Sequence, residues 1–535
     1  MANKPDENLG TEKLIIAGLL LLALYKFYEK FLAWVEIPKN KYLLIACVTA
    51  VLGVVVLAFW KKGRKRYEAW KKDKLILGYE DDSVYCGTTD KKEDVWIKPR
   101  QRTMHTQVIG TTNAGKTESV ILPWAIQDIH KGRGLLLIDG KADNSLLDKL
   151  WSYSVKAGRG NDFRLFSLSR SSESHQFNPL VGGTADEITE RVFNSFEFEN
   201  QHYRSIQYEV MSQVMRVFES TKSSVTFQRL HQVISNPKAL VELSAKVKDP
   251  GLLQWVNWYN ALPHKDRETR TSGLLTALGQ FSFGANSNLF NSVQGAFTLD
   301  EALQKNQIVY FQLPVLLSPF LGKATGKLVL QSLQAAVANR HRQAGKKQFF
   351  SVFLDDFSEY LYPGFVSILN KSRSANVGVV FAHQALGDIQ TLGDSVANSI
   401  LTNSNVKVFM RGNSPDSAEY FSKVIGTLSS TKFTERQKKS FLGTAKSGDV
   451  SAREVEQFVV HPNDFKRDLG VGEAYMIVPH DKGTKTVKIK FKKLEDLPVE
   501  HLPSIKKKTL KLLAFEEKKD AKADEQTQNA FSQNG

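Results

Sequence analysis

Gly110 is followed by four residues and then by Gly115, Lys116 and Thr117, inside the stretch VIGTTNAGKTESVILPW. This spacing is that of a phosphate-binding loop. The glycines let the backbone curl until several N–H groups converge, and Thr111, Thr112, Asn113 and Ala114 complete the cradle. An apolar strand precedes the loop and a helix follows it, so the positive helix end favours an anionic triphosphate. Lys116 would reach the β- and γ-phosphates, and the Thr117 hydroxyl would ligate Mg²⁺.

Such a loop needs an acid at the tip of a neighbouring strand. Val352-Phe353-Leu354-Asp355-Asp356 supplies one: the apolar run buries the strand and delivers Asp355 to the Mg²⁺ shell. Asp356 stands next to it and is placed to polarise the attacking water, with Glu359 as a substitute. Gln384 ends the strand VGVVFAHQ, where a polar side chain can touch the γ-phosphate; His383 beside it reads as structural. Arg373 lies between a helix and that strand. It can serve a neighbouring subunit's nucleotide or simply answer a helix dipole, and both readings stay open. Asp139 and Lys141 mark one more strand tip beside the loop, as a supporting contact or as a plain turn.

The elements that must position these groups alternate. Short apolar strands at 107–109, 135–138, 163–169, 308–314, 377–384, 406–410 and 474–478 are separated by helical patterns, as in a parallel α/β sheet. Between 184 and 289 the rhythm stops. Thr184 and Glu187 form a capping-box pattern, and Ile188, Val192, Phe193 and Phe196 recur at helical spacing, so this segment is expected to be an all-helical insertion.

The formal net charge of +16 calls for a polyanionic partner such as nucleic acid or an anionic surface. The two cysteines, Cys47 and Cys86, exclude a disulfide framework and a cysteine-based metal cluster. Residues 42–60 carry no charge and are followed by Lys61, Lys62, Arg64, Lys65 and Arg66. With the apolar run from Leu14 they predict a transmembrane hairpin, spans about 14–36 and 42–60, with both ends on the cytoplasmic side. A single span and a cleaved leader are the rival readings. The expected organisation is the hairpin at 1–74, an α/β domain from 75–183 and 290–500, the helical domain at 184–289, and a polar, disordered tail at 501–535.

In their order, these motifs resemble those of the type IV secretion coupling proteins, the membrane-anchored conjugative ATPases of the TraG and TraD kind. The resemblance rests on GTTNAGKT, LLLIDGKAD, FNPL at 177–180, VFLDDF, SRSANVGVVFAHQ and GEAYMIVP behind an apolar N-terminus. It implies a RecA-like P-loop domain, ATP as the nucleotide with Mg²⁺, and a homo-hexameric ring. It further implies a multi-pass place in the bacterial inner membrane. There the ring would move DNA, with its relaxase, toward a secretion channel. Lys116, Thr117, Asp355, Gln384 and Arg373 match the family positions for phosphate, Mg²⁺, acid, sensor and finger. DGKAD and DDF depart from the commoner patterns, which leaves Lys141 and the base loosely assigned. A receptor for protein effectors and an FtsK-like translocase are the competing functions.

Overall fold

In the computed structural model, residues 25–32, 34, 40, 49–64, 82–198, 200–440, 443–481 and 483–505 are described. Two units are distinguished, 1–79 and 80–535.

In the first unit, residues 49–64 are helical and include Lys61, Lys62, Gly63 and Arg64. Among the described residues no helix is long and apolar enough to cross a membrane. This corrects the expected two-span hairpin, and with it the multi-pass inner-membrane location inferred from it. Residues 14–24 and 41–48, which the two spans were to include, lie outside the described residues.

The second unit is built on thirteen strands: β1 (Val84–Thr89), β2 (Asp94–Ile97), β3 (Thr106–Ile109), β4 (Gly134–Asp139), β5 (Phe163–Ser167), β6 (Ile308–Gln312), β7 (Phe350–Asp355), β8 (Val377–His383), β9 (Val406–Met410), β10 (Thr427–Ser440), β11 (Gly443–Phe458), β12 (Glu473–His480) and β13 (Gly483–Phe491). Eleven form one sheet in the order β2-β1-β13-β12-β9-β3-β8-β7-β4-β6-β5, and β10 pairs with β11 apart from it. From β9 to β5 all pairs are parallel. From β9 outward through β12, β13, β1 and β2 they are antiparallel. The parallel strands are mostly apolar because both faces are covered. Their alternate residues feed two separate cores. Leu136, Ile138, Val352, Leu354 and Phe381 face one; Leu135, Leu137, Phe353, Val380 and Val408 face the other.

The helical region falls between β5 and β6, from Ala185–Phe193 to Ser287–Phe290, and a single bridge between Phe177 and Phe297 is the only strand-like pairing there among the described residues. Thr184 does cap its first helix, with Glu187 reaching back to the Thr184 N–H at 3.0 Å. The core of this region is continuous with the core on one face of the sheet. Phe177 stitches the two: its ring lies 6.1 Å from Phe166 and 5.1 Å from Phe311, and Phe290 lies 5.2 Å from Phe166. Each such buried phenylalanine contributes about 2–3 kcal/mol.

Candidate functional site: a phosphate loop closed by a strand-tip carboxylate

The phosphate loop leaves the tip of β3, flanked by β8 and β9, whose tips lie alongside. Asn113 and Gly115 turn it with φ of 63° and 96°. Gly115 is doubly constrained, since a Cβ there would meet Ser119 Oγ at 2.9 Å and Gly472 N at 3.2 Å. The following helix opens with a π-turn, Thr117–Ile121, before Leu122–His130. Pro123 explains it: proline has no N–H to offer the turn behind, and the wider turn absorbs the missing bond.

Lys116 is buried and its Nζ donates to Gly110 O at 2.7 Å and to Thr111 O at 3.2 Å, across the mouth of the loop. Burial pushes its pKa below the ordinary lysine value, and Asp355 opposes that shift. Thr117 Oγ1 donates to Asp355 Oδ2 at 2.6 Å. Asp355 is held above the usual carboxylate range, first by burial and then by the neighbouring Asp356.

Asp356 follows in the left-handed region, φ 48° and ψ 45°. Lys141 grips its Oδ1 at 2.7 Å, while its buried Oδ2 has no hydrogen-bond partner among the described residues. Glu359, in contrast, turns toward Lys323 at 3.6 Å. Asp139 lies opposite Asp355 in the β4–β7 register. Burial and then Asp355 push its pKa up to about 7, against donations from the N–H groups of Lys141 and Asp143 and the Tyr310 hydroxyl. Tyr360 donates to the Asp355 carbonyl at 2.7 Å and pins the strand tip.

This donor set fits a hard divalent cation. It combines a hydroxyl, a carboxylate in contact with it, and an unpartnered buried carboxylate oxygen, all among mutually repelling acids. No cluster of three or more His, Cys, Asp or Glu side chains forms a protein-only cage among the described residues. That suits Mg²⁺, which takes few protein ligands and completes its shell with phosphates and water.

Residues 350–468, which contain the strand tip with Asp355, match the family described as the TraM recognition site of TraD and TraG. The type 4 coupling protein DotL of Legionella pneumophila is 22% identical over 516 residues, covering 82% of this chain. The chain spans 65% of that curated relative's length. Among solved structures, the plasmid coupling protein TrwB with a non-hydrolysable ATP analogue aligns with a TM-score of 0.55 at 14% identity, over 80% of this chain and 94% of that one. The unbound monoclinic form of TrwB gives 0.54 at 12% identity, over 81% and 93%. In sequence and fold the chain is similar to the conjugative and type IV secretion coupling proteins.

In this chain the P-loop NTPase fold brings Lys116, Thr117, Asp355, Asp356 and Lys141 together. Gln384 joins them, with Oε1 accepting from Thr112 Oγ1 at 3.3 Å. Arg373 does not join: it is exposed and precedes β8, at the opposite end of the strand from Gln384. Sequence reasoning missed Gly472, whose N–H donates to Ala114 O at 3.0 Å and braces the loop from the β12 side. It also missed Asp388, whose Oδ2 takes the N–H groups of Gln384 and Ala385 at 2.7 and 3.0 Å. An acid three residues after the start of a helix was the available signal for Asp388. Gly472 had none, since its role depends on a partner far away in the chain.

Proposed function

We propose that this chain is an ATP-hydrolysing coupling ATPase that binds DNA and its bound relaxase and moves them toward a type IV secretion channel. The observation that supports this reading best is the contact between Thr117 and Asp355, which unites the phosphate loop with the acid strand in the fold of the coupling proteins. Mg²⁺, held by the Thr117 hydroxyl and Asp355, would supply charge neutralisation between the phosphates. The chain's own groups then divide the work. The loop N–H groups and Lys116 bind and orient the phosphates, Asp356 accepts a proton from the attacking water, and Gln384 contacts the terminal phosphate. A homo-hexamer would place Arg373 against a neighbour's nucleotide. The +16 charge suits sequence-independent contact with a phosphate backbone.

The test is ATP hydrolysis by the full chain with and without single- and double-stranded DNA, with Lys116→Ala as the control. DNA-stimulated turnover that disappears in the variant supports the motor. Turnover indifferent to DNA favours a receptor for protein cargo, and the match of 350–468 to a protein-recognition site makes that the second reading. No turnover in either protein overturns both.

A further inference from the structure

A buried polar chain crosses the sheet behind the phosphate loop. Lys407 on β9 is in register with Gln107 on β3 and is 8% exposed. Its ammonium has no carboxylate partner among the described residues. It donates instead to Gln107 Oε1 at 3.2 Å, Leu401 O at 2.9 Å and Ser404 Oγ at 3.4 Å. This orients the Gln107 amide, because its oxygen is taken and its nitrogen must point the other way, to His383 Nε2 at 3.0 Å. The other imidazole nitrogen lies 2.8 Å from Ala385 O, which can only accept. Nδ1 therefore carries the proton and Nε2 accepts from Gln107. Burial, which lowers the His383 pKa to about 4, agrees with this neutral tautomer.

The chain thus has one direction, from Lys407 through Gln107 and His383 to Ala385. From outside, Asp388 holds the N–H groups of Gln384 and Ala385. The backbone on both sides of Gln384 is fixed, and its side chain meets Thr112. A sheet does not need this arrangement. Ile109, Phe381 and Phe409 occupy the same face of these three strands with apolar side chains. A buried ammonium without a counter-charge is costly, and an apolar residue could fill the position without that cost.

We propose that Lys407, Gln107 and His383 are positioning residues for Gln384: their hydrogen bonds set the turn at 383–385 so that Gln384 faces the terminal phosphate. This rests on the ATPase reading above.

The test uses the full chain carrying His383→Leu, His383→Asn, Lys407→Met, or His383→Leu combined with Gln384→Ala. His383→Leu is expected to lower kcat about tenfold with KM for ATP within about twofold. His383→Asn, whose amide N–H can stand where Nδ1–H stands, recovers most of the loss. Lys407→Met lowers kcat while raising the melting temperature, which a merely structural lysine would not do. The double variant is no slower than Gln384→Ala alone. Amide hydrogen exchange at 384–388 speeds up in His383→Leu and stays unchanged elsewhere. Unchanged kcat, additive losses, or unchanged exchange at the turn overturn the proposal. If the wild-type chain hydrolyses no ATP, the ATPase reading falls, and the exchange measurement by itself decides whether the chain holds the turn.

Discussion

Thr117 Oγ1 and Asp355 Oδ2 are 2.6 Å apart across 238 residues of sequence. The last residue of the phosphate loop and the last residue of β7 act as one group. Thr117→Ala and Asp355→Asn should each lower kcat about 100-fold and weaken the response to Mg²⁺. The double variant should be little worse than the worse single one, because both remove the same unit. A Mg²⁺ titration of turnover in the four proteins checks this.

Burial and the neighbouring Asp356 carboxylate both oppose charge on Asp355 and raise its pKa. Asp355→Asn should therefore stabilise the fold by about 1 kcal/mol at neutral pH while it destroys activity. Thermal unfolding compared with turnover reads both. A lower melting temperature in the variant would contradict the strain.

Asp356 has an unpartnered oxygen at the site, and Glu359 is turned to Lys323. Asp356→Asn should lower kcat about 100-fold with nucleotide affinity kept, and Glu359→Gln should change neither. Fluorescent-nucleotide binding alongside turnover separates the two carboxylates.

Gly472 sits at φ 78° with its N–H on Ala114 O, and a Cβ there would meet Ser119 Oγ at 3.0 Å. Gly472→Ala should destabilise by about 1 kcal/mol and weaken nucleotide binding several-fold, because the strain falls on the loop itself. Calorimetric titration with a non-hydrolysable analogue measures the loss.

Burial lowers the pKa of both His105 and His383 to about 4. Below about pH 6.5 the unfolded chain takes protons that the folded chain refuses until about pH 4. Stability is therefore full above pH 6.5 and falls as the pH drops through that window, by about 3 kcal/mol for each histidine at its lower end. Melting temperature against pH should show the slope, and His383→Asn should reduce it by about half.

Much of the site was legible because its parts are local. The phosphate loop is a spacing within eight residues, and the acid strand is an apolar run with carboxylates at its end. β9 fell at residues 406–410 as its pattern predicted, since a strand buried on both faces is mostly apolar and Lys407 interrupts the run only once. The antiparallel edge, β1, β2 and β13, escaped notice. β2 and β13 are partly exposed, so their alternation is weak and a polar sequence such as GTKTVKIKF carries little signal of its own, while the buried part of β1, Val84 to Gly87, is too short an apolar run to stand out. The hairpin β10–β11 was missed for a similar reason, as a long polar stretch without the apolar alternation that marks a strand.

At the N-terminus, an uncharged run such as 42–60 reports composition alone, and among the described residues no helix is long and apolar enough to cross a membrane.

By itself the sequence picked out the candidate groups: Lys116, Thr117, Asp355 and Gln384 stand out by short-range pattern, which one segment can carry alone. The tertiary structure decided what those groups touch. The register of β4 against β7 set Asp139 opposite Asp355, the pairing of β3 with β8 and β9 joined Gln107 to His383 and Lys407, and the approach of the β12 loop placed Gly472 on Ala114. Those contacts follow from parallel strands brought together over hundreds of residues, where packing of the two cores, and no local spacing, selects the partner.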